Sequence, residues 1–159
     1  MGRDDIKLFF IGDGKLKPAL KERAVPEEFY NCLFLDSIPK NKMPDLLKQV
    51  DAGMMVLANV PAFYYGTSPN KFFDYIASGL PVINNYPGWL AGMITENRCG
   101  IAVSPEDPVA FADALEYMAD NRDEAAEMGN NARMLAERSF GRIRLAERFV
   151  DWLEQNAKE

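Results

Sequence analysis

Ser68-Pro-Asn-Lys-Phe-Phe-Asp-Tyr-Ile-Ala-Ser-Gly-Leu-Pro-Val-Ile-Asn84 packs a helix start, a helix stop and a buried strand into seventeen residues. Ser68 can accept from the free N–H groups of a first helical turn, and Pro69 suits the first helical position, where its missing N–H costs nothing. Gly79 suits the left-handed residue that closes a helix, and Leu80-Pro81 cannot prolong one, so the chain turns at once into Val82-Ile83. The spacing predicts a helix of eleven residues followed by a strand. Its charge pattern is unusual. From Ala52 to Thr95, forty-four residues, Lys71 and Asp74 are the only charged side chains, and at a spacing of three they share a helix face. The first turn of such a helix offers unpaired N–H groups and the positive end of the dipole; with Lys71 beside them it suits a phosphate. The plainer alternative is a solvent-facing ion pair between Lys71 and Asp74, worth about 0.3 kcal/mol.

Working outward towards the start, Ile6-Lys-Leu-Phe-Phe-Ile11 is apolar enough for a strand covered on both faces, and it runs into Gly12-Asp13-Gly14. That Gly-Asp-Gly loop either admits the backbone of a ligand or is only a turn. Lys15 to Arg23 reads as a short helix with Leu16 and Leu20 at i, i+4. Asn31 to Leu35 is a second strand closing on Asp36-Ser-Ile-Pro39. Asn41 can cap the next helix, where Met43, Leu46, Leu47 and Val50 form an apolar stripe. Gly53 to Ala58 is a third strand. The loop after it, Asn59 to Thr67, carries Phe63, Tyr64 and Tyr65 at the carboxyl end of a strand, where open parallel sheets bind ligands. Those aromatics either touch a ligand or cover the sheet end.

Towards the other terminus, the strand Val82 to Asn84 leads through Asn85-Tyr-Pro-Gly88 into a short helix, Trp89 to Thr95. Gly100 to Val103 is a fifth strand, and Asp107-Pro108 caps a helix whose Phe111, Leu115 and Met118 face inward. Five strands alternating with helices predict an α/β fold: a Rossmann-like parallel sheet with helices on both faces. Beyond Asn121 the pattern is helical only, Asp123 to Arg138 and Arg142 to about Gln155. The expectation is one domain, with an α/β core to residue 121 and C-terminal helices over 122–159. The last helix has a wide apolar face, with Leu145, Phe149 and Trp152 on one side and Ile143, Ala146, Val150 and Leu153 on another. That face suits either a partner surface or ordinary packing on the parent sheet.

Composition narrows the chemistry. With 159 residues, 48% of them hydrophobic, the chain can bury a sizeable core. A net charge of −6 argues against non-specific nucleic-acid binding, which depends on neutralising phosphates with Lys and Arg. Residues 101–159 hold thirteen Asp and Glu against seven Lys and Arg, a pattern that reads as a solvated face. No apolar run reaches the roughly 18 residues of a membrane span, and Met-Gly-Arg-Asp-Asp is no signal-peptide core. The chain reads as cytoplasmic. Cys32 and Cys99 are too few for a zinc site or a disulfide scaffold and read as buried thiols. Histidine is absent, which excludes histidine bases, triads and histidine-rich metal sites within this chain.

These residues together resemble the C-terminal domain of GT-B glycosyltransferases of family 4, also called group 1, which use a sugar nucleotide and retain anomeric configuration. The resemblance covers nearly the whole chain. It rests on the order and spacing of Phe10-Ile-Gly-Asp-Gly14, Phe34-Leu-Asp-Ser-Ile-Pro39, Ala52-Gly-Met-Met-Val56, Ser68 to Val82, Cys99-Gly-Ile-Ala-Val-Ser-Pro105 and Met128-Gly-Asn-Asn-Ala-Arg133. The Ser-Pro-Asn-Lys form is similar to the branch that builds capsule, O-antigen and other surface polysaccharides.

The resemblance implies a nucleoside-diphosphate sugar donor, a UDP-sugar for preference, with neither metal nor other cofactor. It implies that Asp74 accepts from the ribose hydroxyls and that the amides around Asn70 and Lys71 meet the phosphates, with Lys71 stabilising their charge. Leu35 and Asp36 would meet the base, and Gly12, Asp13 and Gly14 would border the nucleotide cleft, with Gly66, Thr67 and Ser68 leading into the helix. Two departures stand out: the family often has a glutamate where this chain has Gly66, and Asp74 is shorter than the usual second glutamate. The family's basic pair and its acceptor-binding N-terminal domain would lie upstream, so the resemblance implies a fragment of a longer enzyme, inactive alone. The glycan or lipid-linked acceptor, and any contact with the inner membrane, would come through that other domain. A non-catalytic nucleotide-binding or interaction module of the same fold is the main alternative. A response-regulator receiver would need an acidic cluster after an early strand, and Asp13 and Asp36 do not form one in sequence.

Overall fold

The computed structural model describes residues 3–27 and 29–157, and the Met1-Gly2 start lies outside the described residues. The chain divides into two compact units, Met1–Leu46 and Leu47–Glu159.

In the first unit, β1 (Leu8–Ile11) and β2 (Cys32–Leu35) pair in parallel, with Leu8 opposite Cys32 and Ile11 opposite Leu35. The crossover between them is α1 (Lys17–Ala24). A turn closed by Lys17 N–H on Gly14 O precedes α1, so the helix starts two residues later than the sequence pattern predicts. Leu16 and Leu20 are both exposed, so the i, i+4 pair forms no buried stripe. Phe10 stacks on Phe34 at 5.1 Å. Even so, Phe9, Phe10, Leu33 and Leu35 each remain 37–40% exposed. β1 pairs with β2 alone among the described residues, which leaves its second edge outside any ladder. Asn41 sits inside a 3-10 turn, Lys40–Lys42, that Pro39 rather than Asn41 precedes. The helix that follows, α2 (Met43–Leu47), is five residues long, and Val50 falls beyond it.

In the second unit the strands β3 (Gly53–Met55), β4 (Val82–Asn84) and β5 (Gly100–Ala102) form a parallel sheet in that order. The five strands thus pair as two parallel sheets, where the alternation of elements suggested one. An apolar run marks a segment as a strand but carries no information about which segment it pairs with. Five helices surround this second sheet or follow it: α3 (Asn70–Ala77), α4 (Trp89–Glu96), α5 (Pro108–Asp120), α6 (Arg122–Phe140) and α7 (Arg142–Asn156).

Strand periodicity sorts the core into two layers, because neighbouring residues of β4 point to opposite faces. Val82 joins Met55, Phe72, Ile76, Leu90, Ile94 and Leu135, which places α3, α4 and α6 on one face. Ile83 joins Ala114 and Met118 of α5, with Phe111, Leu115, Ala125 and Met128 packed against them, on the other. Asp107 caps α5 as the sequence predicts, its Oδ1 accepting from Ala110 N–H at 2.9 Å.

The C-terminal helices divide in character. α6 is built into the fold: Gly129, Ala132, Leu135 and Ala136 are buried. α7 has no buried residue; Ile143 is 76% and Trp152 57% exposed, with Phe149 and Trp152 stacked at 6.2 Å.

Candidate functional site

The chain reaches the central helix through a fastened loop. Asn85 clasps the backbone of Leu57, its Oδ1 accepting from Leu57 N–H at 2.9 Å and its Nδ2 donating to Leu57 O at 3.1 Å. Tyr64 packs edge-on to buried Tyr86 at 5.5 Å and its hydroxyl bonds Asn59 Oδ1. Trp89 Nε1 donates to Thr67 O at 3.0 Å. Of the three loop aromatics, Tyr64 therefore covers the sheet end while Phe63 and Tyr65 face solvent. Gly88, at φ 95°, lies so close to this loop that a Cβ there would stand 2.1 Å from Tyr64 O.

α3 begins at Asn70, one residue beyond Pro69, and is eight residues long rather than eleven. Pro69 occupies the cap position with an extended backbone (φ −69°, ψ 124°), and its carbonyl accepts from Phe72 N–H at 3.0 Å. Ser68 is thereby one position too early for its hydroxyl to reach the first turn, and no side chain caps the helix. The consequence is an open N-terminus. Among the described residues no group accepts from the backbone N–H of Asn70 or Lys71. The other end of α3 is closed as predicted: Gly79 takes φ 72°, its N–H reaches Ile76 O at 3.1 Å, and Leu80 N–H reaches Tyr75 O at 3.0 Å. Phe72 and Ile76 anchor the helix in the core.

Lys71 lies partly buried at that open end, and burial pushes its pKa below the ordinary 10.5. No carboxylate of the described residues comes within ion-pair distance of it, Asp74 included. The ion-pair reading of Lys71 and Asp74 is therefore not what the structure shows. Gly66, Ser68 and Asn70 are exposed, while Thr67 and Asp74 are half-buried. A side chain added at Gly66 would meet nothing within 4 Å.

In the first unit, Gly12 (φ 137°) turns the chain after β1 and donates from its N–H to Leu35 O at 3.2 Å. Asp13, Gly14, Leu35 and Asp36 are exposed here. Sequence reasoning missed the residue that ties them together, Lys17. Its Nζ donates to Asp36 Oδ1 at 2.7 Å and to Leu35 O at 2.8 Å, with Asp13 Oδ1 at 3.4 Å. Asp13 Oδ2 accepts from Ser37 N–H at 3.3 Å. The hydrogen bond to Ser37 and the Lys17 cation hold Asp13 below the usual carboxylate range, while Asp36 and Asp13 hold Lys17 above 10.5. The signal for Lys17 was the i, i+4 spacing from Asp13 across the Gly-Asp-Gly turn.

Among the described residues no group of three or more His, Cys, Asp and Glu could hold a metal ion, and no helix is long and apolar enough to cross a membrane.

The family model for glycosyl transferases of group 1 matches residues 2–121. The chain belongs to that family. Its α/β fold is that of the C-terminal domain of a GT-B glycosyltransferase. The solved structure of Anabaena Alr3699/HepE in complex with UDP-glucose superposes with a TM-score of 0.80 at 14% identity, covering 96% of this chain and 42% of that one. The same protein with UDP and glucose gives 0.76 at 16% identity, over 94% and 40%. WaaG, a glycosyltransferase involved in lipopolysaccharide biosynthesis, gives 0.58 at 19% identity, over 82% and 34%. The chain thus spans less than half the length of these solved chains. A comparison with curated proteins gave no match.

Proposed function

We propose that this chain is the nucleotide-sugar-binding domain of a retaining glycosyltransferase that builds surface polysaccharide and takes a UDP-sugar as donor. The observation that carries the reading is the open N-terminus of α3, where, among the described residues, nothing accepts from the N–H groups of Asn70 and Lys71 and half-buried Lys71 has no counter-ion. A site with donors, a dipole and an unpaired cation matches a diphosphate, and the charge on a departing nucleoside diphosphate grows as the glycosidic bond breaks. Lys71 and the amides of Asn70 and Lys71 receive that charge, and Asp74, one turn further on, accepts from the ribose hydroxyls. Transfer of this kind asks for charge stabilisation and alignment more than for a protein base, which suits a chain without histidine. The acceptor, a glycan or lipid-linked glycan, binds outside this chain, and the work is done at the cytoplasmic side of the inner membrane.

Calorimetric titration of the chain with UDP and UDP-glucose tests this. Binding is expected, and Lys71→Ala is expected to weaken it at least about tenfold, the loss of one charge-assisted contact worth about 1.4 kcal/mol. Equal affinity in the variant would sink the assignment of Lys71. A second reading, nucleotide binding without transfer, is favoured by Gly66, which leaves the donor sugar without the family's usual carboxylate. Because the position is open, Gly66→Glu is accommodated; on the first reading it tightens UDP-glucose relative to UDP, and on the second it changes neither.

A further inference from the structure

The charges of α7 run against the helix that carries them. Residues 142–148 hold Arg142, Arg144 and Arg148 against Glu147 alone, and residues 149–156 hold Asp151 and Glu154 with no base. A helix is steadied by acids at its start and bases at its close. α6 follows that rule, with Asp123 and Glu124 in its first turn and Arg138 in its last, whereas α7 has neither an acid in its first turn nor a base in its last. Its charges therefore add to the helix dipole instead of offsetting it. Like charges also fall four apart, Arg144 with Arg148 and Glu147 with Asp151, a spacing at which they repel. Among the described residues none of these six groups makes an ion pair. The apolar side of the same helix is uncovered: Ile143, Leu145, Phe149, Val150, Trp152 and Leu153 are 44–76% exposed. Ile143, Ala146 and Val150 line a shallow apolar depression on it.

We propose that α7 is a self-recognition helix that packs antiparallel against the α7 of a second copy of this chain, in an isologous dimer. An antiparallel copy sets the arginine end of each helix beside the acidic end of the other and opposes the two dipoles, and two-fold symmetry makes each contact twice. A parallel copy would lay arginine on arginine. In full overlap the midpoint of Arg142–Asn156 is Phe149, so Arg144 lies level with the copy's Glu154 and Leu145 with the copy's Leu153. An anionic membrane fits less well, because a helix that lies on one carries an excess of Lys and Arg, and α7 has three charges of each sign. The contact is limited in extent. Its 15 residues make a helix about 22 Å long, too short to cover the roughly 800 Å² per partner of a standard interface, so the dimer forms reversibly.

Sedimentation equilibrium of the full chain, up to about 500 μM, tests this. The unmodified chain is expected to pass from monomer to dimer with a Kd on the order of 10–100 μM. Phe149→Glu, at a side chain 60% exposed where folding is not at stake, is expected to weaken dimerisation at least about tenfold. Arg144→Glu with Arg148→Glu makes α7 acidic along its length, and Asp151→Arg with Glu154→Arg makes it basic. Each double variant alone is expected to lose at least about tenfold, and an equimolar mixture of the two to regain at least the unmodified strength. A chain that stays monomeric throughout overturns the proposal. Association that Phe149→Glu leaves unchanged also overturns it and places the contact elsewhere, the open edge of β1 included. So does a basic variant that self-associates more tightly than the unmodified chain, since that would set α7 against a fixed acidic surface. With phosphatidylglycerol vesicles no co-sedimentation is expected; binding by a monomeric chain, lost in Phe149→Glu, would assign the face to a membrane instead.

Discussion

Lys71 is a cation placed where its own charge is disfavoured. Burial lowers its pKa, so between that value and 10.5 the folded chain holds fewer protons than the unfolded one, and stability of the free chain rises with pH across this window. A bound phosphate reverses the preference by favouring the ammonium. Nucleotide affinity is therefore expected to be highest below the lowered pKa and to fall as pH rises through it. Calorimetry from pH 7 to 10 reads this, and a flat profile would mean that Lys71 does not face the phosphate. The same logic makes Lys71→Met raise the urea midpoint of the free chain while weakening nucleotide binding. The thiols make a second residue-scale case. Burial pushes Cys99 up to about 11, and it is fully covered, whereas Cys32 is raised by a thinner layer and is partly exposed. With a thiol-exchange dye at pH 8, Cys32 is expected to react in the folded chain and Cys99 only after unfolding.

At the scale of elements, α6 explains a motif that the sequence could display but not interpret. A Cβ on Gly129 would stand 2.4 Å from Gly79 O, so α6 lies directly on the turn that closes α3. Four residues on, Arg133 donates to Ala77 O at the α3 terminus. Asn131 Nδ2 reaches Arg98 O at 3.1 Å and Arg138 Nη2 reaches Asn97 Oδ1 at 2.7 Å, both at the end of α4. Gly-Asn-Asn-Ala-Arg is therefore a brace for two helix termini. Gly129→Ala is expected to cost about 1–3 kcal/mol in urea unfolding, because the obstacle is backbone and cannot turn away. Arg98 occupies the left-handed position after α4 at φ 49°, with Cys99 N–H on Ile94 O and Arg98 N–H on Thr95 O. Replacing it by glycine is expected to add about 1 kcal/mol of stability in the same assay. Gly79 was legible because Gly followed by Leu-Pro is a local stop signal. Gly129 was not, because its need for a missing side chain is set by a turn fifty residues earlier. Ser68 failed in the opposite direction: the cap residue type was right, and an extended Pro69 moved the helix one position beyond its reach.

At the scale of the whole molecule, the two units are unequally furnished. The buried hydrophobic side chains of the second unit include Met55, Phe72, Ile76, Val82, Ile83, Leu90 and Ile94, whereas Ile6 is the one described in the first. Amides of β1 and β2 are expected to exchange with deuterium well before those of β4, and equal rates would show the units opening together. The alternation of strands and helices was readable throughout, as were the inward faces of α5 and α6, because periodicity is local. The division of the strands into two sheets was not, since pairing depends on groups far apart in sequence. Lys71 and Asp74 stand out in the sequence by their charge, whereas the open α3 terminus and the contacts of Lys17 arise from distances that no spacing encodes.

The second edge of β1 has a bearing on how this polypeptide is handled at the bench. Leu-Phe-Phe-Ile carries neither charge nor proline along that edge, and Phe9 and Phe10 are both exposed. Edges of this kind template the addition of further strands, which natural sheets guard with lysine, proline or a covering segment. Concentrating the isolated polypeptide is therefore expected to join such edges, read in light scattering as a particle size that grows with concentration.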